Sequence, residues 1–182
     1  MRTRAFVLAV LLSATVTLSA QENERIKYSN ITEFGFLTTS PMGVAFEGTT
    51  VNGFSMDKYH HIGLGIGMGY SHHTSYRYDG TAYMPMFVNY RLYFKPEKSF
   101  SPHVNAALGG VMAEDGGGIY SSITMGFRAG KFSFSSGLSF MAIEREESRN
   151  WWYDPYYPEY EYYSVKYWSF PFGITIKCGF SF

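Results

Sequence analysis

Along most of this chain, large apolar residues alternate one for one with small or polar ones. In HIGLGIGMGY, residues 61–70, the even positions are Ile62, Leu64, Ile66, Met68 and Tyr70, while the odd ones are His61 and four glycines. Side chains of a strand point to opposite faces in turn, so the pattern predicts a strand with one apolar and one small face. AYMPMFVNYRLYF, residues 82–94, repeats it: Met84, Met86, Val88, Tyr90, Leu92 and Phe94 oppose Tyr83, Phe87, Asn89, Arg91 and Tyr93. Ile119, Ile123, Met125 and Phe127 alternate with Tyr120, Ser122, Thr124, Gly126 and Arg128. Phe132, Phe134, Leu138 and Phe140 alternate with Ser133, Ser135, Gly137 and Ser139. The final SFPFGITIKCGFSF predicts one strand over residues 169–182, with Phe170, Phe172, Ile174, Ile176, Cys178, Phe180 and Phe182 on a single face. Weaker alternation over residues 26–38, 44–54 and 103–112 brings the number of predicted strands to eight.

An even number of antiparallel strands places both ends of the sheet-forming chain on one side. The connections after strands two, four and six are short: MDKY, KPEKSFS and a Gly130-Lys131 turn. Long connections follow strands three and seven, SHHTSYRYDGT and the segment from Glu144 to Ser164, while TTSPMG and AEDGGG are shorter members of that same side. No repeat, linker or shift in composition calls for a second domain.

Composition adds a location. The first 20 residues carry Arg2 and Arg4, then an apolar run from Ala5 to Leu12, then small residues ending at Ala20. That is the layout of a secretory signal peptide, which predicts residues 1–20 as signal and residues 21–182 as a single barrel domain. Of the 15 basic and 15 acidic residues, the signal holds two of the basic ones, so the remainder is close to neutral and offers no electrostatic footprint for nucleic acid. The lone Cys178 excludes an internal disulfide and a cysteine metal site. Beyond the signal no apolar run approaches the about 18 residues of a spanning helix, so a membrane location requires a closed barrel.

Which face points outward follows from the small parity. A soluble barrel of the lipocalin kind turns its apolar face inward. Gly63, Gly65, Gly67 and Gly69, or Ser133, Ser135, Gly137 and Ser139, would make a poor solvated exterior, which normally carries Lys, Glu and Thr. They suit a crowded interior, while the apolar parity of the strong strands, free of Asp, Glu, Lys and Arg, suits lipid. Aromatics gather near the strand ends: Tyr70 and Trp168 toward the long loops, Phe94, Phe127, Phe132, Phe180 and Phe182 toward the short turns. The expected fold is an all-β, eight-stranded antiparallel up-and-down transmembrane β-barrel.

On these residues the chain resembles the small eight-stranded outer-membrane β-barrel proteins of Gram-negative bacteria, and TVNGF followed by IGLGIGMGY is similar to members of that class with unassigned activity. The resemblance implies a cell outer membrane location with both termini periplasmic, and contact with outer-membrane lipid. Terminal Phe182, with Phe180 before it, looks like the signal by which the barrel-assembly machinery recognises a last strand; Lys177 stands where the usual pattern has Gly.

Candidate chemistry is sparse. GLGIGMG lacks the third glycine of a dinucleotide loop and does not open a helix. Its glycines make room for Tyr83, Phe87, Tyr93 and Tyr120 to fill a narrow interior. Glu33, Glu47, Arg91, Arg128 and Lys177 fall on the inward parity, and buried charges must pair, so they are expected to form an internal salt-bridge network; a gated ion path is the functional alternative. SHHTS, with His72, His73 and Ser75, raises a lipid-hydrolase or acyltransferase alternative, but no acidic partner stands at a recognisable spacing. No metal or cofactor is expected. The segment EREESRNWWYDPYYPEYEYYS combines Trp151, Trp152, Tyr153, Tyr156, Tyr157 and Tyr160 with six acids, a composition suited to binding an extracellular protein or glycan. Extension of the two flanking strands, with tyrosines stacking across the hairpin, is the structural alternative. The expected role is non-enzymatic: surface interaction or envelope structure. A narrow transport path for a small or hydrophobic solute is a further alternative.

Overall fold

The computed structural model describes residues 26–40, 43–72, 80–114, 116–150 and 162–182. The expected signal segment lies outside them. The strands are β1 (Ile26–Ser40), β2 (Gly43–Met56), β3 (His60–His72), β4 (Thr81–Tyr93), β5 (Phe100–Ala113), β6 (Gly116–Ala129), β7 (Phe132–Asn150), β8 (Tyr162–Ser169) and β9 (Phe172–Ser181). Consecutive strands from β1 to β8 pair antiparallel, and β9 pairs antiparallel with both β7 and β1, which closes the sheet.

β8 and β9 are one barrel strand interrupted at Phe170-Pro171. Ile143 faces Ser169 and Phe140 faces Phe172, so the register against β7 is the same on both sides of the gap. Pro171 has no N–H to give the ladder, but its carbonyl still accepts from the Met141 N–H at 2.9 Å. The single strand expected over residues 169–182 is therefore interrupted in hydrogen bonding and continuous in geometry. Pro85 behaves alike: β3 and β4 pair at Ile66–Met86 and again at Gly69–Tyr83 without a change of register. Neither proline needs the bulge that proline often brings to a strand.

The barrel is staggered. A walk across directly opposed residues from Tyr28 passes Phe54, Ile62, Tyr90, Ala106, Ile123, Leu138 and Ile174 and returns to β1 at Thr38, ten residues further on. Ten residues of shear over eight strands tilts them by roughly 40° and leaves an interior only wide enough for side chains. The same walk explains one oddity of the sequence. Even residues oppose even residues everywhere except at the two edges of β6, where even meets odd, so β6 alone carries its apolar face on odd positions.

The outward parity is the apolar one. Met68, Leu64, Met125 and Ile123 are 76%, 69%, 68% and 65% exposed, while the alternate positions are buried. Among the described residues, no Asp, Glu, Lys or Arg occupies an outward strand position until Glu144 and Lys166, which approach to 4.0 Å beside Trp168. Aromatic contacts ring both ends. Phe100 stacks on Phe127 at 4.8 Å and Phe132 meets Phe180 at 5.7 Å near the terminal end; Trp168 stacks on Phe170 at 6.3 Å near the loop end.

Turns at the terminal end are tight. Asp57 takes φ 61°, and its Oδ1 accepts from the N–H groups of Tyr59 (2.7 Å) and His60 (3.0 Å), which hold its carboxyl below the usual carboxylate range. At the loop end, AEDGGG shrinks because Gly116, Gly117 and Gly118 are already in β6. β7 reaches Asn150 and pairs with β8 from Ile143–Ser169 to Asn150–Tyr162, so residues 151–161 alone remain of the expected long connection. The β7–β8 ribbon continues past Gly116, which faces Arg145 and is the first residue of β6.

Candidate functional site

The inward face is built from the odd positions of seven strands and the even positions of β6, and it divides into three levels. Toward the loop end, Leu37, Ala45, Tyr83, Val111, Met141 and Ile143 form a buried apolar cap with Phe87 and Tyr120, whose rings lie 5.3 Å apart. Glycine makes this possible. Gly65 faces Phe87 and Gly69 faces Tyr83 across the β3–β4 pair, and a Cβ at either glycine would overlap the aromatic ring opposite.

Under the cap lies the first ion pair. Lys177 on β9 donates to Glu47 Oε1 on β2 at 2.5 Å, reaching across β1. Tyr120 Oη donates to the same oxygen at 3.2 Å, and Tyr83 Oη reaches Glu47 Oε2 at 3.4 Å. One carboxylate thus gathers three donors from three other strands. Nearer the terminal end, Arg91 on β4 donates through Nη2 to Glu33 on β1 at 2.7 Å. The Arg91 guanidinium is 1% exposed and its Nε points to Asn105 Oδ1 at 3.5 Å, which also accepts from Asn89 Nδ2 at 2.8 Å. Asn105 in turn reaches Thr124 Oγ1 at 3.4 Å, so a polar belt runs across β1, β4, β5 and β6.

The structure therefore brings together four of the five inward charges named from the sequence, as two opposed pairs. Arg128 is the correction. It sits near the end of β6, where its guanidinium covers the Tyr93 ring at 4.5 Å from the centroid and its Nη2 donates to the Pro96 carbonyl at 3.4 Å. Among the described residues it meets no carboxylate, because Glu33 is already taken by Arg91 and Glu47 lies toward the opposite end. Asn89, Asn105, Tyr83 and Tyr120 are contributors that charge alone did not reveal. Their inward parity marked them, and so did the need of a buried carboxylate for more than one donor.

The third level, at the terminal end, holds His61, His103, Ser101 and Ser133, all buried. His103 packs edge-on to Tyr93 at 5.6 Å, which links it to Arg128. Among the described residues no group of three or more His, Cys, Asp or Glu is placed to hold a metal ion. Trp151, Trp152, Tyr153, Tyr156, Tyr157 and Tyr160, and likewise His73 and Ser75, lie outside the described residues; His72 ends β3 as an exposed residue.

In chemical terms the interior is a set of committed charges. Both buried carboxylates and their cations are mutually satisfied, and the side chains between them occupy the barrel's bore. No protein-family model matches the chain, and no characterised protein matches it.

Proposed function

We propose that this chain is an integral outer-membrane β-barrel of the small eight-stranded kind, with a filled interior and a non-enzymatic role in surface interaction or envelope structure. The observation that carries the reading is the inversion of faces. Large apolar side chains cover the outside between two aromatic belts, and charges and glycines line the inside. Water would penalise such an exterior, since contiguous apolar patches beyond a few hundred Å² are uncommon on soluble monomers. A hydrocarbon layer favours it, and the closed sheet leaves no backbone edge for lipid to meet.

The orientation follows from the turns. The terminal end, with its tight Asp57–Tyr59 and Gly130-Lys131 connections, faces the periplasm, and the end bearing the β7–β8 ribbon faces outward. Residues 151–161 then sit on the cell surface, where Trp151, Trp152 and their neighbouring tyrosines supply a protein- or glycan-binding face. The C-terminal strand ending in Phe182 is the element offered to the assembly machinery. The packed bore disfavours a transport path.

Fractionation with electrophoresis of heated and unheated samples tests this. The protein is expected in the outer-membrane fraction and to migrate differently before and after boiling. A periplasmic protein with identical mobility in both lanes would overturn the reading.

A further inference from the structure

Five of the chain's seven lysines, Lys27, Lys58, Lys95, Lys98 and Lys131, stand at the terminal end, and all five are exposed. Each lies within two residues of an exposed aromatic side chain of that end: Tyr28, Tyr59, Phe94, Phe100 and Phe132 in turn. Lys131 Nζ also sits over the Phe182 ring, 6.0 Å from its centroid. Aromatic rings mark the level where hydrocarbon gives way to headgroups, so ammonium groups beside them on long flexible stems reach the headgroup phosphates. The other two lysines are placed differently. Lys177 is inside the barrel, and Lys166, at the loop end, is 4.0 Å from Glu144.

The turns that carry these lysines are joined to one another. Lys58 Nζ donates to Glu97 Oε1 at 2.8 Å, which ties the β2–β3 turn to the β4–β5 connection. Within that connection the Lys98 N–H donates to the Lys95 carbonyl at 3.2 Å, and the Gly130 N–H of the β6–β7 turn donates to the Ser99 carbonyl at 3.3 Å. The Ser181 N–H of β9 donates to the Lys131 carbonyl at 2.8 Å, so the three turns form one continuous rim. Its acidic side chains are already engaged: Glu97 with Lys58, and Asp57 with the backbone of its own turn and His60. Among the described residues no carboxylate comes within ion-pair distance of Lys27, Lys95, Lys98 or Lys131. The rim therefore carries an excess of like charge, which a nearby anionic surface relieves. At the loop end the balance is reversed, with six acids from Glu144 to Lys166 against Arg145, Arg149 and Lys166.

We propose that the terminal rim binds the headgroups of anionic phospholipids in the leaflet it borders, through Lys27, Lys95, Lys98 and Lys131. The inference rests on the membrane reading above. Its test is the association of spin-labelled phosphatidylglycerol and phosphatidylcholine with the full chain in mixed vesicles of the two lipids. At low salt the motionally restricted fraction is expected to favour phosphatidylglycerol by at least about threefold, and the preference is expected to fall as salt screens the rim. Changing Lys27, Lys95, Lys98 and Lys131 together to Gln is expected to abolish it. Changing Arg145, Arg149 and Lys166 of the loop end together to Gln is expected to leave it intact, with folding of every variant verified by its heat-dependent mobility. Folded, inserted protein that restricts both lipids equally would overturn the proposal, as would a preference that survives the four rim substitutions or is lost with the loop-end ones. Protein that neither inserts nor shifts on heating would overturn the membrane reading itself.

Discussion

Lys177 and Glu47 join strands that are not neighbours: the ammonium of β9 meets the carboxylate of β2 over the top of β1 at 2.5 Å, well inside the barrel. Such a pair is sensitive to the loss of one member and tolerant of the loss of both. Lys177→Met strands a buried carboxylate and is expected to destabilise the barrel by about 3–5 kcal/mol in urea unfolding from detergent micelles. Glu47→Leu combined with Lys177→Met is expected to recover much of that. The remainder, about 1 kcal/mol for each hydroxyl, reflects Tyr83 and Tyr120 losing their acceptor. A double variant as unstable as the single one would show that the pair contributes more than mutual compensation.

The glycine stripe of β3 makes a second expectation. Gly65→Ala pushes a methyl group into the Phe87 ring and is expected to cost about 1–3 kcal/mol in the same unfolding measurement. Phe87→Leu removes the ring edge, so the two changes together are expected to cost clearly less than their sum. Strict additivity would mean that the ring and the glycine do not depend on one another.

How much of this was legible in the sequence depends on what surrounds each residue. Ile62 to Tyr70 could be read at sight because lipid-like and interior surroundings differ so sharply that the period of two is almost strict. Arg91 and Glu33 could be assigned to the interior by parity, but not to each other, because they are 58 residues apart and their meeting depends on the stagger of the barrel. β7 beyond Glu144 was legible only as an alternative to a long loop, for a physical reason. EREESRN has no apolar face once the strand leaves the apolar belt, so the alternation vanishes while the backbone pairing with β8 continues to Asn150. Arg128 shows the limit of parity alone: the inward side was right, but depth along the strand decides the partner, and near the end of β6 that partner is an aromatic ring and a carbonyl.

The filled bore has an electrical consequence. In planar lipid bilayers the purified protein is expected to give no steady conductance, because Arg91, Lys177, Tyr83, Phe87 and Tyr120 occupy the interior. Discrete, reproducible conductance steps would contradict that packing.

The orientation can be tested on intact cells. Chymotrypsin added outside is expected to cleave within residues 151–161, rich in Trp and Tyr, while a tag placed after Phe182 stays protected until the outer membrane is opened. Cleavage only after opening would reverse the assignment of the two ends.

The most direct test of the inverted faces is nitroxide accessibility at Ile62, Leu64, Ile66, Met68 and Tyr70. Each is replaced in turn by a spin-labelled cysteine in a Cys178→Ser background and measured in lipid vesicles against oxygen and a water-soluble nickel chelate. If the outward parity meets hydrocarbon, oxygen dominates at Leu64, Ile66 and Met68 and the balance moves toward nickel near Tyr70. Nickel access that is high and uniform along all five positions would mean that water covers this face, and the account of the protein as a membrane barrel would be wrong.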